Sequence, residues 1–207
     1  MKLYKYETRK LSFQLVPMKA WYNNLRSFVP NWTEISSKIR SKCTCEICGY
    51  HGEISEFDAH EVWQYDDKNH IQSLSKIMCV CKPCHSTIHI GLSGLNGTLD
   101  QSLQRYQEVN GLTKEEVNLD YAEAGKVYHS RSRFEWTLDK EKLIKDVESL
   151  TGISCDITKP INGRYYENVT FDLKDTAKSF GARWDSDRKL WYFMSEEART
   201  KWKESNK

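Results

Sequence analysis

Cys45-Glu-Ile-Cys48 and, after 32 intervening residues, Cys81-Lys-Pro-Cys84-His85-Ser-Thr-Ile-His89 form the stretch on which the reading of this chain turns. Two Cys-x-x-Cys pairs at that separation can fold toward each other and present four thiolates to one tetrahedral zinc. Cys45, Cys48, Cys81 and Cys84 are therefore the expected ligands of a structural Zn²⁺. Cys43 and Cys79 each stand two residues ahead of one of these, which leaves a swapped ligand open. His85 follows the last thiol directly and His89 lies four residues on. If a helix starts here the two imidazoles share a face, with Cβ atoms about 6 Å apart. Between the Cys pairs, Phe57-Asp58-Ala59-His60-Glu61-Val62-Trp63 sets residues that bind metal or move protons into a short apolar run. This is the layout of a metal-dependent hydrolase held by a separate structural zinc.

Local patterns around that stretch predict a strand over residues 54–63, a turn at Asp66-Asp67-Lys68-Asn69 and a returning strand over 71–80. A helix opened by the Pro83-Cys84-His85 run then passes through His89 and is stopped by Gly91. Gly49 and Gly52 loosen the turn after the first Cys pair.

Cys-x-x-Cys, a strand carrying a His with an acid beside it, and Cys-x-x-Cys-His-x-x-x-His resemble the HNH nucleases, whose catalytic unit is a ββα-metal hairpin and helix. More narrowly, His60-Glu61-Val62-Trp63-x-Tyr65-Asp66-Asp67 followed by Cys81-x-x-Cys84-His85-x-x-x-His89-x-Gly91 is similar to a bacterial subgroup described only as HNH endonucleases. The resemblance spans roughly residues 17–137. It implies an endonuclease that hydrolyses DNA phosphodiester bonds, with His85 and His89 as ligands of a second, catalytic divalent cation (Mg²⁺, Mn²⁺ or another transition metal). Two registers fit the strand. In one, His60 is the third ligand and Glu61 takes the general-base position; in the other, His60 is the base and Asp58 compensates as a ligand. The middle Asn of the family pattern is missing, since Lys76 or a nearby Ser stands there. By the same resemblance the products carry 5′-phosphate and 3′-hydroxyl ends. A monomer would nick and a homodimer could cut both strands, as suits an enzyme of a phage or other mobile element. The alternative is a non-catalytic zinc-stabilised DNA-binding module.

Composition bounds these readings. The chain has 207 residues and a formal net charge of +2. Its ends are basic: residues 1–40 carry eight Lys or Arg against two acids, and 157–207 carry eleven against eight. The middle is acidic, with four against seven over 41–91 and eight against twelve over 92–156. Basic ends could grip phosphates while the acidic centre holds a cation. Seven cysteines, four of them in metal spacing with no secretory leader ahead, argue for a reducing, cytoplasmic location. No apolar run approaches the roughly 20 residues of a membrane span, so no membrane association is expected.

The rest of the chain reads as scaffold and appendage. Residues 1–16 alternate enough for a strand or an extended arm. Trp21, Leu25 and Phe28 recur at helical spacing after Pro17, and Thr33 caps a short helix with Ile35 and Ile39 inward. Three further helices are predicted. The first runs over 99–109, with Leu99, Leu103 and Tyr106 inward. The second opens with the capping box Thr113-Lys-Glu-Glu116 and uses Val117, Tyr121 and Ala124. The third is capped by Asp139, uses Leu143, Ile144, Val147 and Leu150, and ends at Gly152.

The expected class is α+β. A zinc-stapled ββα-metal core (43–91) and a helical scaffold (92–152) make one domain over 1–152, followed by a linker over 153–162 and a small βαβα domain over 163–207. The latter's run Phe171-x-x-Lys174-x-x-Ala177-Lys178-x-x-Gly181-Ala182-Arg183-Trp184-Asp185-x-x-x-Lys189-x-Trp191-Tyr192 resembles a small domain of unknown function found on mobile-element primases and helicase-like proteins. Lys178, Arg183, Arg188 and Lys189 near Trp184 could bind phosphates and stack on unpaired bases of DNA.

Overall fold

In a computed structural model of the chain, the structure describes residues 4–20, 25, 29, 31–155, 160, 163–167, 169–186 and 190–206. They form a mixed α+β protein with eight α-helices and two small sheets. The chain divides into two compact units, Met1–Tyr22 with Ser36–Asp146 and Asn23–Ile35 with Val147–Lys207. Of the linker expected over 153–162, residues 153–155 and 160 are described. In the second unit, Asn31 Nδ2 donates to the Ser154 carbonyl at 2.7 Å, and Cys155 is buried. The predicted helix through Trp21 and Phe28 lies outside the described residues. Helix α1 (Trp32–Arg40) buries Ile35 and Ile39 as its period requires. It opens one residue before Thr33, because the Asn31 carbonyl already accepts from the Glu34 and Ile35 amides.

The first unit is built on an antiparallel hairpin, β1 (Phe57–Asp66) and β2 (Ile71–Cys81). Its register pairs Phe57 with Cys81 and Asp66 with Ile71, slipping between Val62 and Trp63. The turn is closed by Asp66, whose Oδ1 accepts from the amides of Lys68 and Asn69, an Asx geometry that replaces backbone turn bonds. Two strands alone are marginal in water, and helices cover this pair. Helix α2 (Lys82–Ile88) follows β2 without a loop, with proline in its first turn, where the missing N–H costs nothing. It breaks at His89 (φ −85°, ψ 47°), and α3 (Ile90–Leu95) resumes at once. Gly91 is thus inside α3 and does not stop the helix as predicted. A Cβ there would lie 3.2 Å from Leu15 Cδ2, so glycine admits the N-terminal arm.

Helices α4 (Leu99–Asn110), α5 (Lys114–Arg131) and α6 (Lys140–Thr151) follow. The Thr113–Glu116 capping box is present, and the Lys142 amide donates to Asp139 Oδ1 at 2.9 Å. Two positions predicted inward are exposed, Tyr121 and Leu150. On α5 the inward stripe includes Asp120, which accepts from Arg9 Nε at 2.7 Å and from the Tyr106 hydroxyl at 3.0 Å. Arg131, at the end of α5, is 6 % exposed. It joins the hairpin turn through Asp67 at 2.7 and 3.0 Å and the arm through Glu7 at 2.8 Å. Removing either acid would leave a buried charge under-paired, a loss of about 3–5 kcal/mol in the strongest cases.

The second unit's sheet contains β3 (Tyr165–Glu167), β4 (Arg183–Asp185) and β5 (Leu190–Phe193) in antiparallel order β3-β5-β4, with helices α7 (Lys174–Ser179) and α8 (Glu196–Ser205). The expected βαβα order therefore gains a strand: Trp184 and Asp185 pair with Trp191 and Leu190. A three-residue strand is too short for period-2 alternation to show. Val169, Ala177, Ala182, Phe193 and Trp202 form one core, and Tyr166, Leu190 and Tyr192 another. Among the described residues no helix is long and apolar enough to cross a membrane.

Candidate metal centres

Cys45, Cys48, Cys81 and Cys84 converge, their sulfurs within 4.8 Å of one another. The loop that presents the first pair is a knuckle. The Cys45 amide donates to the Tyr50 carbonyl at 2.8 Å and the Gly49 amide to the Cys45 carbonyl at 2.9 Å. Gly49 has φ +78°, the left-handed region that favours glycine. Cys81 and Cys84 come from the end of β2 and the first turn of α2. The Sγ atoms of Cys48 and Cys81 are 3.7 Å apart. That is far beyond the roughly 2.05 Å of a disulfide, and near the separation of about 3.8 Å that two thiolates bound to one tetrahedral zinc at about 2.3 Å would have. The thiols thus fit a structural metal such as zinc.

Their electrostatics agree with that fit. The hydrogen bond from the Cys84 thiol, against burial and with help from the amides of Cys48, Cys81 and Ile47, brings the Cys45 pKa down to about 4. Cys84, holding the shared proton, is pushed up by that same bond and by burial. A bound cation would take the proton's place. Arg105 on α4 donates from Nη2 to Cys84 Sγ at 3.6 Å. Cys43 and Cys79 lie outside the cluster, so the swapped-ligand alternative is not used. The Cys79 amide donates to Glu46 Oε1 at 2.9 Å. Burial alone would raise the Glu46 pKa, yet hydrogen bonds from Lys42, Lys76 and that amide hold it at about 2.

His60, His85 and His89 form a second cluster, again with ligand atoms within 4.8 Å of one another. Their rings meet edge to face, with centroids 4.8 to 5.2 Å apart. The Nε2 atoms of His85 and His89 are 3.1 Å apart. Two nitrogens sharing one ion at about 2.1 Å each would stand about 3.0–3.4 Å apart. His60 is 1 % exposed, and no protein group partners its buried Nδ1; a bound ion is one explanation for such an orphan. Burial, then the neighbouring histidines, hold His60 well below its ordinary range. Burial and His85, against Asp58, bring His89 down to about 4. Both rings are therefore neutral at pH 7, the form that binds metal.

Asp58, expected as a possible ligand, sits behind the cluster instead: its Oδ2 is 2.9 Å from His85 Nδ1. A carboxylate there fixes the tautomer and orientation of the ring. Glu61 is not among the clustered groups, since successive side chains leave a strand on opposite faces. Its carbonyl accepts from Gln14 Nε2 at 2.9 Å. Lys76, standing near the missing Asn, is paired with Glu46 at 2.9 Å. Gln14 and Arg105 are contacts that sequence reading missed, because neither lies near a motif in the chain.

In the second unit Trp184 is 48 % exposed and its ring centroid is 5.5 Å from that of Trp191. Lys178 lies over the Trp191 ring at 5.7 Å while paired with Asp175 at 2.9 Å. Arg183 is exposed on β4. Arg188 and Lys189 lie outside the described residues.

Among the described residues, what the geometry defines is two groups of side chains that could hold a metal, one of sulfur and one of nitrogen. Residues 164–204 match a family described as Domain of unknown function (DUF5710). No curated protein and no solved structure matches the chain.

Proposed function

We propose that the first unit is a metal-dependent HNH endonuclease with a ββα-metal core, hydrolysing DNA phosphodiester bonds and nicking one strand per catalytic unit. The observation that carries this reading is the convergence of His60 from β1 with His85 from α2, the helix directly after the hairpin, and His89 from the break that ends it. Three protein ligands leave positions open for water and substrate, as catalytic sites require and closed structural sites do not allow.

A divalent cation held there would act as Lewis acid on a phosphate oxygen and on the leaving 3′-oxygen. His60, His85 and His89 would hold it through ring nitrogens. Asp58 keeps His85 in one tautomer through Nδ1. With His60 used as a ligand and Glu61, the base of the first register, leaving β1 on the opposite face, no side chain of this strand is assigned to take the proton from attacking water. Lys178, Arg183 and Trp184 are assigned phosphate and base contacts. Incubating the protein with supercoiled plasmid and Mg²⁺ or Mn²⁺ tests the reading. Nicking that His85→Ala abolishes is the expected result, and equal nicking by both proteins, or none by either across several DNAs, counts against it.

One observation favours a second reading, a zinc-stabilised DNA-binding module without catalysis. Lys76 is tied to Glu46, so no amide stands there to orient a base. DNA binding without metal-stimulated cleavage would select that reading.

A further inference from the structure

The three histidines come from two elements, and some contact must set the distance between those elements. We propose that Gln14, on the N-terminal arm, is a positioning residue for the histidine cluster; the inference rests on reading that cluster as a cation site. The Gln14 main-chain N–H donates to the Ile88 carbonyl at 2.8 Å, one residue before His89. Its side-chain Nε2 donates to the Glu61 carbonyl at 2.9 Å, one residue after His60, and Oε1 accepts from the Trp63 amide at 2.9 Å. Three hydrogen bonds from one residue thus tie the neighbour of His60 to the neighbour of His89.

The side-chain amide behaves as a piece of a third strand. It bonds a carbonyl and an amide of β1 two residues apart, as a neighbouring strand would. It does so where the register with β2 slips between Val62 and Trp63, the place where a strand is most easily bent. Beside the clasp, a cavity of about 140 Å³ lies between arm and strand, lined in part by Phe13, Gln14, Val62, Trp63 and Tyr65. Packing is thin on that side, so the clasp sets the strand's position. On the other side the arm is seated firmly, because Leu15 approaches the backbone at Gly91 closely. Metal bonds tolerate about 0.2 Å of misplacement, and a strand free to shift beyond that would spread the nitrogens.

Titration of the full-length protein with Co²⁺ tests this. Wild type is expected to take up two equivalents, one with thiolate-to-cobalt charge-transfer absorption and one, lost in His89→Ala, without it. In Gln14→Met the sulfur-free site should weaken roughly 10- to 100-fold, the range for loss of outer contacts on metal ligands, and its ligand-field bands should change. The thiolate band and the unfolding midpoint should hold. Gln14→Glu keeps the acceptor for the Trp63 amide and loses the donor to Glu61, so its affinity should fall between the two. A Gln14→Met protein with wild-type affinity and spectrum at the sulfur-free site would overturn the proposal. So would a loss shared equally by both sites and the midpoint, which marks a general structural role. A wild type lacking any site sensitive to His89→Ala overturns the cation reading itself, before Gln14 is considered.

Discussion

The two clusters meet in the chain at α2, where Cys84 and His85 are adjacent, yet they are held in opposite ways. Four sulfurs could complete a tetrahedron around one ion and would then leave no position for substrate. They are presented by a short knuckle, a strand end and one helical turn. The three imidazoles are an incomplete set, carried by a strand, a helix and the break that ends it, and steadied from outside, His85 by Asp58 and the residues beside His60 and His89 by Gln14. A closed site therefore organises the chain around it, whereas an open one is organised by the chain.

The largest test of that contrast is Cys84→Ser, or removal of metal with a strong chelator. Structural zinc in small modules is worth about 10–16 kcal/mol, comparable to or larger than the roughly 5–15 kcal/mol stability of a whole domain. The expected outcome is loss of cooperative thermal unfolding together with loss of bound zinc, followed by circular dichroism and metal analysis. His89→Ala should behave differently. Its melt should stay close to wild type while nicking falls at least about 100-fold, since a bound ion contributes several kcal/mol at the transition state. If His89→Ala unfolds as completely as Cys84→Ser, the division between a shape-giving and a working cluster is wrong.

How much of this was legible in the sequence follows from the same contrast. Short spacings are local, and local rules read them: Cys-x-x-Cys brought four thiols together, and the i, i+4 spacing of His85 and His89 brought their rings together although the helix breaks at His89. The Thr113–Glu116 capping box and the hairpin turn at Asp66 were equally readable, because each is closed by side chains within three residues. Gly91 misled, since its small size serves a distant Leu15 and not a helix end. Tyr121 misled because Asp120, a residue no hydrophobic period would choose, is the buried one, paid for by Arg9 and Tyr106. Gln14, 47 residues from Glu61, left no sequence signal at all. The β4 strand was missed because three residues ending in Asp185, ahead of Ser186, look like a turn.

A smaller effect separates the ligands from their support. Asp58→Asn replaces a carboxylate that holds His85 Nδ1 at 2.9 Å with an amide that is neutral and can present the wrong face. Metal affinity at the histidines should drop about 10- to 100-fold, read by competition with a colorimetric chelator. The thiol site should be untouched. A drop confined to the thiol site would mean that Asp58 acts through the fold and not through His85.

The smallest expected effect is the counterpart of that substitution on the sulfur side. Four thiolates around one Zn²⁺ leave a net charge of −2, and Arg105, with Nη2 at 3.6 Å from Cys84 Sγ, offsets part of it. Hydrogen bonds to charged groups contribute about 1.5–3 kcal/mol, and the partial exposure of Arg105 places its share at or below the low end of that range. Arg105→Met, which keeps the apolar stem, should therefore release zinc to a chelator no more than about 10-fold more readily. Its melt should shift by a few degrees at most. The asymmetry with Asp58→Asn is the point: a complete tetrahedron barely needs its outer partner, and an incomplete one depends on it. Equal losses from the two substitutions, each measured at its own site, would erase the distinction between closed and open clusters.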